Sequence, residues 1–144
     1  MTFKENKETT TSKTGINHYC LEQNNYLVCE NRDEIVKINI NEIYQVIQND
    51  YLTTIHYGKR GNKFTFTTTL SKIENKLDKY DLFFRINRNI IVSLKSIKSY
   101  NKKSNTLYLD NRITHKVAVR RAKELCRLLS PEITLASKNI TLTK

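Results

Sequence analysis

A two-residue alternation of apolar and polar side chains recurs through the middle of this sequence. Successive side chains of a β-strand point to opposite faces, so an alternation of this period fits a strand with one buried face. The alternating positions are Tyr51, Thr53, Ile55 and Tyr57 in one stretch and Phe64, Phe66, Thr68 and Leu70 in the next. Because Gly58 and Gly61 lie between the two stretches, the pattern predicts a β-hairpin over residues 51–69.

Further strands are predicted on both sides of this hairpin. The apolar positions that indicate them are Ile35, Ile38 and Ile40, then Leu107 and Leu109, and then Val117 and Val119. The last two pairs are placed around an Asp110–Asn111 turn and predict two more strands. Phe83–Phe84 and Ile90–Val92 predict an extended region that the polar residues 85–89 interrupt.

Two segments change to the spacing of a helix. Their apolar positions are Leu70, Ile73 and Leu77 in the first, and Ala122, Leu125, Cys126 and Leu129 in the second. Ser71 followed by Glu74 predicts a capping box at the start of the first helix, and Pro131 ends the second. Strands joined by short loops leave little room for parallel crossovers. The sequence therefore predicts a mainly β, antiparallel fold with two short helices.

The length of 144 residues fits one domain with its own core. Residues 1–14, with a run of threonines at 9–11, predict a flexible N-terminal tail, and residues 15–130 are predicted to form the domain. Residues 131–144 are interpreted as a C-terminal tail or an extra strand. No apolar run reaches the roughly 18 to 20 residues that a membrane span needs, and the N-terminus has no apolar signal core. A cytoplasmic protein without membrane insertion is expected.

Neither metal binding nor catalysis is expected from the sequence. The three cysteines, Cys20, Cys29 and Cys126, and the three histidines, His18, His56 and His115, have none of the spacings of metal sites. The acidic residues form no motif for acid–base chemistry, and no glycine-rich phosphate loop is present. The chain is predicted not to be an enzyme and to need no cofactor.

The distribution of charge indicates the kind of partner. The net charge is +11, yet residues 1–84 hold eleven Lys and Arg against eleven Asp and Glu. Residues 85–128 hold twelve against two, so nearly all of the excess lies in that segment. Such a concentration is typical of a surface that neutralises several phosphates of a polyanion. The alternative is a solvated basic face without a partner.

Several blocks of the sequence together resemble one protein family. The run Phe83-Phe84-Arg85-Ile86-Asn87-Arg88-Asn89-Ile90-Ile91-Val92-Ser93-Leu94-Lys95-Ser96-Ile97 closely resembles the signature of the LytTR family of DNA-binding domains. Residues 69–77 are similar to the family's helix, Ile43–Tyr44 with residues 51–53 to its early strand pair, and residues 117–121 to its closing element. The resemblance covers about residues 30–128.

The resemblance implies an elongated fold of stacked antiparallel sheets whose loops enter successive major grooves of double-stranded DNA. By position, the first contact region holds Asn49 and Tyr51 beside Asp50, the second Arg88 and Asn89, and the third Arg120 and Arg121. Arg can pair with guanine and Asn with adenine, whereas Lys suits phosphate. The lysines expected at phosphates are Lys95, Lys98, Lys102, Lys103 and Lys116.

Arg85 and Asn87, which adjoin the second region, are further candidates for DNA contact. Some of the candidates also have a structural interpretation. Arg85 can be an ion-pair residue near a strand end, Tyr51 a half-buried strand aromatic, and Asn87 a turn cap. Arg88, Arg120 and Arg121 are the strongest DNA candidates, because they are predicted at polar junctions between apolar strands.

The sequence thus predicts a bacterial regulator of transcription that binds specific double-stranded DNA. The resemblance implies direct-repeat sites, and a homodimer on DNA is expected with them. Because no receiver domain is recognisable, control is expected through the abundance of the chain, a separate regulatory protein or a region outside this sequence. One alternative is a basic β-domain for RNA or single strands, in which tyrosines stack on bases. The tyrosines considered for that role are Tyr19, Tyr26, Tyr57, Tyr100 and Tyr108. Another alternative is a protein-interaction module that meets an acidic partner.

Overall fold

A computed structural model describes residues 19–130, and the chain divides into two compact units at Asp81–Leu82. We call residues 19–81 the N-terminal unit and residues 82–130 the C-terminal unit. The predicted tails, residues 1–14 and 131–144, lie outside the described residues. The fold is mainly β with antiparallel strand pairing and two short helices, which confirms the predicted fold class.

The N-terminal unit contains two three-stranded antiparallel meanders. The first consists of β1 (Tyr19–Gln23), β2 (Tyr26–Glu30) and β3 (Ile35–Asn39), and the second of β4 (Ile43–Asn49), β5 (Leu52–Tyr57) and β6 (Asn62–Thr67). In β5 and β6 the paired residues Ile55 and Phe64 are both buried. Gly58 and Gly61 have φ of 79° and 74° in the turn between these strands, a region open to glycine. The predicted hairpin is therefore confirmed.

Helix α1 (Leu70–Leu77) follows β6 and buries the predicted stripe of Leu70, Ile73 and Leu77. Its N-cap is Thr69, whose Oγ1 accepts a hydrogen bond from the Lys72 amide at 3.3 Å. The predicted capping box was therefore wrong, because Ser71 already lies within the first turn. Burial of Leu70 makes the helix begin earlier than the capping pattern indicated.

The C-terminal unit contains a hairpin, a meander and a helix. The hairpin pairs β7 (Phe83–Asn87) with β8 (Ile90–Ser93), and the meander joins β9 (Ile97–Asn101), β10 (Thr106–Leu109) and β11 (Thr114–Lys116). Helix α2 (Val119–Leu128) follows. The predicted interrupted strand region is thus a tight hairpin, and β9 had not been predicted.

The predicted strand through Val117 and Val119 was wrong. Val117 is buried, but Val119 is 80% exposed and begins α2. The Arg121 amide donates to the Ala118 carbonyl at 2.8 Å, which closes the first turn of that helix. Two apolar residues are too few to predict a strand. The helix whose apolar stripe includes buried Leu125 begins at Val119 instead.

One apolar cluster forms the core of the C-terminal unit. It joins β7, β8 and β10 to α2 and consists of Phe84, Ile86, Val92, Leu107, Leu109, Val117 and Leu125. Both inward-facing residues of β7, Phe84 and Ile86, belong to it. The core therefore fixes the strand that leads into residues 87–89 and the helix that carries Arg120 and Arg121.

We expect Thr69→Ala to lower the free energy of unfolding by about 1 kcal/mol, because the Lys72 amide loses its side-chain partner. Urea denaturation followed by circular dichroism would measure the change. Thr69→Ser is the matched control, because its hydroxyl oxygen can still accept from the Lys72 amide, and it should have a smaller effect. Equal losses in Thr69→Ser and Thr69→Ala would contradict the observed N-cap.

Candidate nucleic-acid interface

The C-terminal unit carries the basic segment that the sequence singled out. Of the twelve Lys and Arg between residues 85 and 128, ten are exposed, and Arg85 and Arg121 are half-buried. The two acidic residues, Asp110 and Glu124, are also exposed. Glu124 pairs with Arg127, and the hydrogen bond from Arg127 lowers the pKa of Glu124. The other basic residues therefore leave this unit with a strong attraction for anions.

Arg88 and Asn89 form the exposed tip of the turn between β7 and β8. Asn87 precedes the tip, and its Oδ1 accepts a hydrogen bond from the Asn89 amide at 2.8 Å. Its Nδ2 donates to the Lys116 carbonyl at 3.0 Å. The turn-capping interpretation of Asn87 therefore agrees with its contacts.

Arg85 also supports this turn. Its Nη2 donates to the Arg88 carbonyl at 2.7 Å, and its Nε donates to the Asn87 carbonyl at 3.3 Å. These bonds attach the guanidinium to the backbone of the tip. Arg85 stabilises the conformation in which Arg88 is exposed.

Arg120 and Arg121 lie in the first turn of α2, not in a loop between strands as the sequence suggested. Arg120 is exposed, whereas the Arg121 guanidinium lies 6.0 Å from the centroid of the Phe84 ring. The N-cap residue Ala118 makes no side-chain capping bond, and the first turn contains no acidic residue. Arg120 and Arg121 lie at the N-terminus of α2, where the helix dipole is positive and cations are unfavourable. An anion bound here would reduce this electrostatic repulsion.

The candidate phosphate-binding lysines occupy strands and turns of the same unit. Lys95 lies in the 3-10 turn Leu94–Ser96, and Lys102 and Lys103 lie between β9 and β10. The Lys116 ammonium lies beside the segment between β9 and β10. It donates to the Ser104 carbonyl at 2.9 Å and to Thr106 Oγ1 at 3.3 Å. Lys116 therefore adds its charge to that of Lys102 and Lys103.

The remaining two candidates, Asn49 and Tyr51, lie in the N-terminal unit at the turn between β4 and β5. Asn49 pairs with Leu52, and Asp50 adopts a positive φ of 59° between them. Tyr51 is 83% exposed, so its interpretation as a half-buried strand aromatic was wrong. The exposed phenol ring is available to a partner.

Gln48 also supports this turn, a role that had not been predicted from the sequence. Its Nε2 donates to the Asp50 carbonyl at 3.2 Å, and its Oε1 accepts from the Leu70 amide at 2.9 Å. The second partner lies 22 residues away and opens α1. No local signal marks such a contact.

The structure brings Arg85, Asn87, Arg88 and Asn89 together in one turn. The Asn87–Lys116 bond and a bond from the Ala118 amide to the Ile86 carbonyl, at 2.9 Å, join that turn to the segment before α2. Asn49 and Tyr51 share the other turn. The arginine and asparagine residues predicted to contact DNA therefore lie in these two turns and in the first turn of α2.

Other kinds of site find no support in the part of the chain that is described. Cys29 is buried and Cys126 half-buried, and neither takes part in a disulfide. Across residues 19–130 there is no group of three or more His, Cys, Asp or Glu placed to hold a metal ion. Within the same range, none of the helices has the length and apolar character needed to cross a lipid bilayer.

The fold and these turns define a basic β-domain that presents arginine, lysine and asparagine to a polyanion. Residues 33–130 match the LytTR family, described as the LytTr DNA-binding domain, and the chain belongs to this family. It therefore carries a DNA-binding domain, and the family is one of DNA-binding domains rather than of enzymes.

A solved structure shares this fold. It is the LytTr DNA-binding domain of a Bacillus cereus protein named as a methyl-accepting/DNA response regulator. The TM-score is 0.62 at 23% sequence identity, over 74% of this chain and 98% of that one. A comparison with curated protein sequences found no significant match.

The pH dependence of stability should report His115, the central residue of β11. Burial lowers the pKa of His115 below its ordinary value of 6.5, so the folded state favours the neutral ring. The unfolded chain then binds more protons just below pH 6.5, and stability should fall as the pH decreases through that value toward the folded pKa.

Urea denaturation at pH 7.5 and pH 5.5 would measure this loss, with His115→Gln as the variant that lacks the titrating group. We expect the loss of stability on acidification to be smaller in His115→Gln than in the wild-type chain. An equal loss in both proteins would contradict the assignment.

Proposed function

We propose that the chain is a bacterial transcription regulator that binds specific sites in double-stranded DNA. The observation that carries this proposal is the turn at Arg88, where an exposed guanidinium stands on a backbone held by Arg85 and Asn87. Arginine pairs bidentately with guanine O6 and N7, and a turn that is already ordered loses little entropy on binding. Membership of a DNA-binding family supports the same conclusion.

The contacts divide into two classes under this proposal. Arg88, Asn89 and Arg120 read base edges, because they are exposed and lie on backbone that other residues hold in place. Asn49 and Tyr51 add a further contact from the turn of the N-terminal unit. Arg121 and the lysines bind phosphates, which need charge rather than exact direction. Arg85 and Asn87 contribute by supporting the turn.

The wider role follows from the same proposal. The Bacillus cereus domain belongs to a protein named as a DNA response regulator, and we propose a regulatory role for this chain by similarity. Residues 15–130 form the DNA-binding domain, which binds direct-repeat sites as a homodimer in the cytoplasm. A separate regulatory protein, or the abundance of the chain, controls its activity.

Of the five tyrosines considered for binding of RNA or single strands, the four whose side chains are described give this alternative little support. Tyr26, Tyr57 and Tyr100 are half-buried, the Lys37 ammonium lies 4.5 Å above the Tyr26 ring, and the Tyr100 hydroxyl is bonded to Asn105. Tyr108 is more exposed, at 37%. Base stacking needs open aromatic faces. Duplex DNA therefore fits these four side chains better than base stacking does.

A salt titration of binding to duplex DNA and to single-stranded RNA would separate the two classes of ligand. Fluorescence anisotropy with sites selected from random duplexes is the suitable measurement. We expect tighter binding to the selected duplex, with log K falling linearly against log salt concentration. Tighter binding to single strands would refute the proposal.

Two kinds of substitution should have different effects. Arg88→Ala and Arg120→Ala should each weaken binding to the selected site by about 1 to 3 kcal/mol and relax the preference at one position. The double change of Lys102 and Lys103 to Ala should weaken binding to all duplexes alike and reduce the salt slope by about 2.

Arg127→Ala is the matched control, because it removes one positive charge from the same unit but from a residue paired with Glu124. Arg127→Ala should leave the base preference unchanged at every position of the DNA site. Retention of full specificity by both Arg88→Ala and Arg120→Ala would refute the assignment of base-reading residues.

A further inference from the structure

We infer that Asn87 is a positioning residue that determines base preference through Arg88 and Asn89. This inference rests on the proposed function. It assigns to Asn87 a role distinct from base reading, although the residue type alone suits adenine.

Both polar atoms of the Asn87 carboxamide make hydrogen bonds within the protein. Oδ1 accepts from the Asn89 amide at 2.8 Å, and Nδ2 donates to the Lys116 carbonyl at 3.0 Å. Each bond uses one of the two donors or one of the two acceptor sites of the carboxamide. Together the two bonds fix its orientation on the protein, which suits a role in supporting the turn.

The bond to Lys116 crosses 29 residues of sequence and connects the arginine-bearing turn to the segment before α2. A backbone bond from the Ala118 amide to the Ile86 carbonyl, at 2.9 Å, lies one residue further from the tip. Without the Asn87 side chain this inner bond remains, together with the buried side chains of Phe84 and Ile86. The unit would keep its fold, but the tip would lose its outer attachment.

Loss of this attachment should affect specificity more than charge-driven affinity. Bidentate recognition requires the guanidinium plane of Arg88 to be aligned with a base edge, and a loose support degrades that alignment. Attraction to phosphates depends mainly on the number of charges, which Asn87→Ala leaves unchanged. Discrimination between sites and the salt slope should therefore respond differently.

The test compares Asn87→Ala with wild type on the selected duplex and on duplexes changed at single positions. The first step identifies the position of the DNA site at which Arg88→Ala relaxes the base preference. At that position we expect Asn87→Ala to reduce discrimination by about tenfold, with the salt slope unchanged. The double variant of Asn87 and Arg88 to Ala should lose no further discrimination there, because Asn87 acts through Arg88.

Asn87→Asp tests the two hydrogen bonds of the Asn87 side chain separately. Its carboxylate can still accept from the Asn89 amide but cannot donate to the Lys116 carbonyl, so discrimination should fall as in Asn87→Ala. Asn39→Ala is the matched control, since Asn39 Oδ1 also accepts from an amide two residues ahead, at 2.9 Å, in a turn of the N-terminal unit. It should retain full discrimination.

The outcomes distinguish this inference from the proposed function. If the wild-type chain prefers no duplex sequence, the proposed function fails. If the wild-type chain discriminates and Arg88→Ala relaxes a position at which Asn87→Ala does not, the inference fails alone. An additive loss in the double variant, or equal losses in Asn87→Ala and Asn39→Ala, would also overturn it.

Discussion

The hydrogen bond from the Ala118 amide to the Ile86 carbonyl joins β7 to the segment from which α2 begins. Phe84 and Ile86 point from β7 into the same core as Leu125 of α2, so packing and hydrogen bonding fix this junction together. Arg121 adds to it by covering the Phe84 ring. The positions of the Arg88 turn and of the first turn of α2 both depend on the junction. Because protein interiors are close-packed, such a core transmits a displacement rather than absorbing it.

Charge imposes a second constraint on the C-terminal unit. Guanidinium and ammonium groups lose much solvation energy when they are buried, so ten of the twelve cations between residues 85 and 128 stay exposed. Their mutual repulsion opposes compactness, and cations in the first turn of α2 face the positive end of its dipole. A polyanion relieves both effects. The unit is thus electrostatically better suited to a bound state than to the free one.

Both candidate turns are supported by an amide side chain that reaches a distant part of the same unit. Gln48 bonds to the Asp50 carbonyl and to the Leu70 amide at the start of α1. Asn87 bonds to the Asn89 amide and to the Lys116 carbonyl. The local half of the second pattern could be predicted, because Asn commonly caps turns in this way. The distant partners of both residues could not, since they lie 22 and 29 residues away.

The sequence by itself determined the main elements and the kind of partner. Alternation predicted the hairpin of β5 and β6, helical spacing predicted α1 and α2, and the charge distribution located the basic segment, because these properties are local or additive along the chain. Only the tertiary structure decided that Arg120 lies in the first turn of a helix, that Thr69 rather than Ser71 caps α1, and that Tyr51 is exposed. Each of these outcomes depends on which side chains of the neighbouring elements become buried. Those choices are made when the elements pack, and no local pattern encodes them.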